Sequence, residues 1–198
     1  MNVSENVEII AILSPLEKVL YQKTEAIGQD EFSSVREIEK KLYNALKPYF
    51  PAAGLAAPQI GISKSVFIFS YDRDPAHLET IVNPTFTPVG TDTTEGWEGC
   101  LSVMNCCYKM AKVTRFTTIK AVYLTAQGLR VEKTLEGFAA KVFQHEYDHL
   151  QGMLIINRPD AQVQEFESKE TMDTFLSEVK KADAARYKNP DLMQQQKN

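Results

Sequence analysis

The chemistry-bearing residues of this sequence concentrate in Gln144-His145-Glu146-Tyr147-Asp148-His149-Leu150-Gln151-Gly152. The core of the stretch is H-E-x-x-H, two histidines four residues apart with a glutamate directly after the first. On a helix, residues i and i+4 lie one above the other on the same face. Two imidazoles so placed can share one metal ion, and Glu146 beside them can handle the proton of a water held there. The competing reading is a pair of core histidines and a glutamate bonded to their neighbours. The inward-facing motif, in a chain with three histidines, favours metal.

The flanking residues define the element that must carry the motif. Phe138, Val142, His145 and His149 form one stripe at helical spacing, and Ala139, Phe143, Glu146 and Leu150 form the adjoining one. Lys141, Gln144, Asp148 and Gln151 make a polar face, and Gly152 is a C-terminal stop. Further elements are legible upstream. Residues 30–46 read as an amphipathic helix with Phe32, Val35, Ile38, Leu42 and Leu46 inward and Asp30, Ser33 and Ser34 as candidate caps. Short β-rich runs occur at 66–69, 80–82, 119–124 and 129–132. Asn83-Pro84 reads as a break, and Ala126-Gln127-Gly128 as a hairpin turn. Downstream, 153–156 reads as a short strand. Asp160 then caps a second helix with Val163, Phe166, Met172, Phe175, Leu176 and Val179 as its apolar residues. The expected fold is α+β, mostly antiparallel short strands around a central metal-binding helix, with an additional N-terminal and C-terminal helix. Residues 1–186 are expected to form one catalytic domain and 187–198 a frayed polar tail.

Two further segments could serve the helix. Glu98-Gly99-Cys100-Leu101-Ser102 presents a thiol in an open, glycine-rich turn, and a thiolate suits a borderline metal. Two histidines need a third protein ligand if one position is to stay open. A buried free cysteine is the alternative, and spacing alone does not separate the two. Residues 52–61, Ala-Ala-Gly-Leu-Ala-Ala-Pro-Gln-Ile-Gly, form a small-residue loop with one amide side chain. It fits a tight turn and a substrate-binding loop equally well. His77 reads as a surface residue, and Cys106 and Cys107 as small buried hydrophobes.

Composition narrows the classes. A chain of 198 residues suits one domain. A net charge of -4 argues against a general nucleic-acid binder. No apolar run approaches membrane-spanning length, and the N-terminus lacks the build of a signal peptide. Three cysteines without framework spacing fit a reducing compartment. A cytoplasmic location with no membrane partner is expected.

Taken together, the three segments resemble the peptide deformylase family, which removes the N-formyl group from nascent bacterial and organellar proteins. Gly54-Leu55-Ala56-Ala57-Pro58-Gln59 is similar to its G-x-G-L-A-A-x-Q loop, Glu98 to Ser102 to its E-G-C-L-S turn, and Gln144 to His149 to its Q-H-E-x-D-H helix. The resemblance covers roughly residues 9–158 in layout. Two departures are Ala52, where the loop motif begins with glycine, and the 103–114 segment, expected to be shorter and to contain proline. The resemblance implies that Cys100, His145 and His149 bind a divalent metal, with water as the fourth ligand. The ion would be Fe2+ in the cell, with Zn2+, Ni2+ or Co2+ able to replace it. It implies Glu146 as proton acceptor and donor, and Gln59 with the backbone N–H of Leu101 as oxyanion donors. The peptide would lie extended beside Ala53, Gly54, Glu98 and Gly99. Glu98 and Arg115 are read either as a pair steadying the turn or as a surface ion pair. N-formylmethionyl nascent peptides are the implied partners of a monomer, with the ribosome near its exit tunnel a further one. Against that last partner, residues 160–198 hold six Lys/Arg and eight Asp/Glu, a poor match to ribosomal RNA. The rival readings are a zinc endopeptidase of the H-E-x-x-H type and a non-catalytic metal-binding or ribosome-associated relative. An upstream cysteine disfavours the first, and the intact Glu146 and Gln59 disfavour the second.

Overall fold

The structure, a computed structural model, describes residues 7–186. Its backbone is built from eight strands and four α-helices. The strands are β1 (Gly54–Ala56), β2 (Val66–Ser70), β3 (Leu78–Pro88), β4 (Thr93–Glu98), β5 (Lys109–Phe116), β6 (Thr118–Leu124), β7 (Arg130–Glu136) and β8 (Gln162–Glu165). The helices are α1 (Val35–Leu46), α2 (Leu101–Cys107), α3 (Gly137–Leu150) and α4 (Lys169–Arg186). Antiparallel pairing gives a five-stranded sheet in the order β1-β2-β3-β6-β7 and a three-stranded sheet in the order β4-β5-β8. This is the expected α+β architecture. Among the described residues no helix is long and apolar enough to cross a membrane.

Helix α3 lies between the sheets because it is buried almost all round. Strand β2 shows how the larger sheet receives it. All five β2 residues are buried, and alternation sends Phe67 and Phe69 to one face and Val66 and Ile68 to the other. The phenylalanines pack edge-on against Phe143 of α3, with ring centroids 5.2 and 5.8 Å away. The aliphatic pair packs on Val35, Ile38, Leu42 and Leu46 of α1. The smaller sheet contributes Ala111 and Val113 to a second cluster that holds Cys100, Val103 and Leu154. Phe143 is fully buried, so truncating it to alanine should cost about 3–5 kcal/mol.

Several expectations need correction. Of the polar face read on α3, Asp148 and Gln151 keep contact with solvent but the other half is interior. Lys141 and Gln144 are 7% and 3% exposed, and each has partners that hydropathy spacing cannot reveal. Gln144 accepts from Phe116 N and donates to Phe116 O, which stitches α3 to β5. The break at Asn83-Pro84 lies inside β3 as a bulge, where the register shifts between Val82 and Thr85. Asn83 takes a φ of +49° there, and its amide exchanges two hydrogen bonds with the backbone of Ile27. Residues 155–157 form a 3-10 turn rather than a strand. Asp160 caps no helix; its carboxylate accepts from Thr114 N and Arg158 Nε. The chain after it pairs with β5 as β8, so α4 begins only at Lys169, where the hydroxyls of Ser168 and Thr171 each accept from the other's backbone N–H. At the N-terminal helix, residues 29–34 are 3-10 and none of the candidate caps closes α1; Glu31 accepts from Gly28 N instead. The hairpin at Gly128 and the left-handed stop at Gly152 stand as read. Residues 187–198, read as a tail, lie outside the described residues.

Candidate metal centre

Each side chain of the triad is set by a different constraint. Cys100 is the N-cap of α2, in extended conformation at the end of β4, and is 2% exposed. His145 and His149 stand one turn apart on α3, with ring centroids 5.1 Å apart. Their ligand atoms and Cys100 Sγ all fall within 4.8 Å of one another. Cys100 Sγ and His149 Nε2 are 3.5 Å apart. A tetrahedral ion about 2.3 Å from sulfur and about 2.0 Å from nitrogen requires a separation of about 3.5 Å. The donors therefore fit a divalent metal, as a thiolate–imidazole set suited to iron or zinc.

The histidine orientations come from the surrounding charges. His145 Nδ1 lies 2.8 Å from Glu98 Oε2, which leaves its Nε2 for the triad. Glu98 takes two N–H groups of Arg115, Nε at 2.9 Å and Nη2 at 2.8 Å. Arg115 continues to Asp148 at 2.5 Å, and Asp148 to Arg158 at 2.8 Å. Burial pushes the Glu98 carboxyl up, but Arg115 and His145 outweigh it and hold the group well below the usual range. Burial would push His145 down, and Cys100 and Glu98 instead hold it well above its ordinary value. His149, buried beside His145, is pushed well below.

Glu146 has no such partner. It is 4% exposed, its Oε2 is unpaired, and burial pushes its carboxyl up to about 7, with His145 opposing. It lies against Gly54, where an added Cβ would fall 2.5 Å from its Oε1. Gln59 is fixed by Ala56 N, which donates to its Oε1 at 2.9 Å. Its Nε2 points at Ser102 Oγ, 3.2 Å away, and at Cys100 Sγ, 3.6 Å away. Leu101 opens α2, so its N–H is a first-turn donor with no acceptor in its own helix.

These groups end a cleft of about 310 Å³. Ala53 and Gly54 line one side and Glu98 and Gly99 the other. Strands β1 and β4 are each the edge strand of their sheet, which is what a peptide added between them would need. The Glu98 carboxylate is turned away to Arg115 and His145, so the Glu98–Arg115 pair is buried rather than superficial. His77 is only half-exposed, with Nδ1 2.8 Å from Asp72 and its ring on Tyr71, and it is not one of the clustered ligand atoms. Cys106 is exposed and Cys107 half-buried, contrary to the expectation for both.

Sequence reasoning missed Ser102, Asp148, Trp97 and the α4 wall. Met172, Leu176 and Val179 of α4 line the cleft. Their helical spacing was visible, but which surface they cover was not.

A family model described as polypeptide deformylase matches residues 9–165. Peptide deformylase 1 of Prochlorococcus marinus is 42% identical over 127 residues, covering 60% of this chain and 64% of its own length. The peptide deformylase of Thermotoga maritima is 40% identical over 110 residues, covering 56% and 63%. The chain thus spans somewhat under two thirds of these curated relatives. The crystal structure of the Thermotoga maritima enzyme aligns with TM-score 0.65 and 33% identity, over 76% of this chain and 95% of that one. A Met-Ala-Ser-bound class I type b peptide deformylase from Acinetobacter baumannii aligns with TM-score 0.67 and 29% identity, over 77% and 98%. With the family match running from the N-terminal segment through β8 and across every residue of the triad, the chain belongs to the polypeptide deformylase family.

Proposed function

We propose that this chain hydrolyses the N-formyl group from the formylmethionine of nascent polypeptides, releasing formate and a free amino terminus. The observation that carries the reading is the convergence of Cys100, His145 and His149 with an unpaired Glu146 carboxylate at the end of a cleft flanked by two sheet edges. The relative from Acinetobacter baumannii that binds Met-Ala-Ser supports a peptide beginning with methionine as the ligand class.

Cys100 Sγ and the Nε2 atoms of His145 and His149 would hold a divalent ion, with Fe2+ the expected resident. When bound, the ion supplies Lewis acidity that acidifies water and polarises the formyl oxygen. The chain's own groups do the rest. Glu98 fixes the His145 ring and Arg115 fixes Glu98. Glu146 takes a proton from the attacking water through its free oxygen and gives it to the leaving amine as the C–N bond breaks. Gln59 Nε2 and Leu101 N–H donate to the formyl oxygen as it gains charge. The peptide backbone pairs with Ala53 and Gly54 on one side and Glu98 and Gly99 on the other, and its methionine side chain rests on Phe138 and Val142.

The reading includes a monomeric catalytic domain over residues 1–186, working in the cytoplasm on chains emerging from the ribosome. The test is an assay of the metal-replete protein on a formyl-Met peptide beside its acetyl and unblocked analogues. Formate release from the formyl peptide alone supports the reading. Internal cleavage of all three would point to an endopeptidase, and no reaction to a binding relative.

A further inference from the structure

Beyond the triad the cleft reaches α4, and what fixes α4 there is a buried ion pair. Lys141 of α3 donates to Trp97 O and to Asp183 Oδ2, each at 3.0 Å, and the two charged side chains are 9% and 14% exposed. Removing one partner of such a pair leaves an uncompensated charge. Helix α4 is thereby clamped to the metal helix as a wall of the cleft.

Most charges lining that cleft are neutralised locally. Glu98 is paired with Arg115, Asp183 with Lys141, and Asp173 with Lys169. Apart from Glu146 at the reacting end, Arg73 and Lys180 are the exceptions, for neither forms a salt bridge among the described residues. Arg73 projects from a left-handed backbone, φ +68°, a conformation that costs a non-glycine residue energy. Its guanidinium lies over the Phe138 ring, 4.4 Å from the centroid, and donates to Pro51 O. Burial pushes Arg73 down with the charge of Asp183 opposing, and burial with the charge of Arg73 pushes Lys180 down with Asp173 opposing. Asp183 and Asp173 are themselves engaged by Lys141 and Lys169, so an added anion near the two half-buried cations would be favoured.

We propose that Arg73 and Lys180 form an anion subsite that selects an acidic side chain on the third residue of the formylated peptide. The proposal rests on the deformylase reading. Glu146, at the reacting end, lies against Gly54, whereas Arg73 reaches Pro51, three residues earlier. Arg73 thus stands further along the loop from the reacting end than Gly54 does. Arg73 stacks on Phe138, the surface offered to the methionine, and alternate residues of an extended peptide share a side.

The test uses amide-capped formyl-Met-Ala-X peptides with X as glutamate, alanine or lysine, which removes the terminal carboxylate as a second anion. The expected kcat/KM order is Glu, then Ala, then Lys, with about a tenfold span at low ionic strength that narrows in salt. Glutamate moved to the second residue should gain less. Lys180→Met should shrink the Glu/Ala ratio, and Lys180→Glu should invert the Glu/Lys order. These ratios within one preparation do not depend on how much of a variant is folded. If the three peptides are deformylated at rates within twofold of each other, the subsite is overturned and the deformylase reading stands. If the metal-replete protein deformylates none of them, the reading beneath the subsite falls and takes the subsite with it.

Discussion

Glu98 Oε2 meets both His145 Nδ1 and Arg115 Nη2 at 2.8 Å, so one carboxylate ties the turn that carries Cys100 to the helix that carries both histidines. The three ligands come from two parts of the chain about 45 residues apart, and this carboxylate is a rigid link between them. Glu98→Gln should therefore weaken metal binding by about 10–100-fold, the usual effect of losing such a support. It should also leave Arg115 short of charge in a buried position, lowering stability by about 3–5 kcal/mol. Chelator competition and denaturant unfolding on one preparation measure both. Unchanged metal affinity in a folded Glu98→Gln protein would remove the carboxylate from the metal site's support.

Cys100→Ala deletes one of three protein ligands, and ligand count sets affinity. The variant should lose its ion on dialysis against a mild chelator that leaves the wild type loaded. A ligand that binds only the folded state raises its stability, so chelation should lower the wild-type Tm and leave that of Cys100→Ala unmoved. A variant that keeps stoichiometric metal would take Cys100 out of the ligand set. In the wild type, the ferrous form should lose activity in air and keep it under nitrogen, whereas a nickel form should survive both.

Gln59→Ala tests the oxyanion donors apart from the metal. The Gln59 amide is held by Ala56 N, so its Nε2 is aimed before any substrate arrives. Loss of one such donor should lower kcat by about a hundredfold or more with metal content unchanged. A raised KM at near-normal kcat would make Gln59 a binding residue instead.

What the sequence made legible follows from what determines each feature. The metal helix was readable because H-E-x-x-H and two apolar stripes coincide within one local period. Its burial on the remaining face was not, because Lys141 and Gln144 are satisfied by Asp183, Trp97 and Phe116, all distant in sequence. Cys100 and Gln59 were legible only through resemblance, since their approach to the histidines depends on how β1 and β4 are placed. The α4 wall escaped notice for the same reason. Helical spacing shows that Met172, Leu176 and Val179 share a face, and only tertiary packing decides that the face covers the cleft. Strand β8 was absorbed into a helix because four residues with one apolar side chain carry too little pattern to separate the two periods.

The last prediction joins Gly54 to Glu146. A Cβ at position 54 would stand 2.5 Å from Glu146 Oε1 and 2.8 Å from its Cδ, closer than real contacts allow. Because Glu146 is buried, a displaced carboxylate has little room to move without leaving the water it must deprotonate. Gly54→Ala should therefore keep the metal and lose much of kcat. Glu146→Ala should keep the metal and a similar Tm, since the carboxylate's unpaired Oε2 points to no stabilising bond there, while losing nearly all deformylation. If Gly54 acts only by leaving space for that carboxylate, the two losses do not add, and the double variant is no slower than Glu146→Ala alone. A double variant slower by the product of both factors would assign Gly54 a separate task, such as pairing with the peptide backbone. Substantial turnover by a folded, metal-replete Glu146→Ala protein would overturn Glu146 as the group that moves the proton.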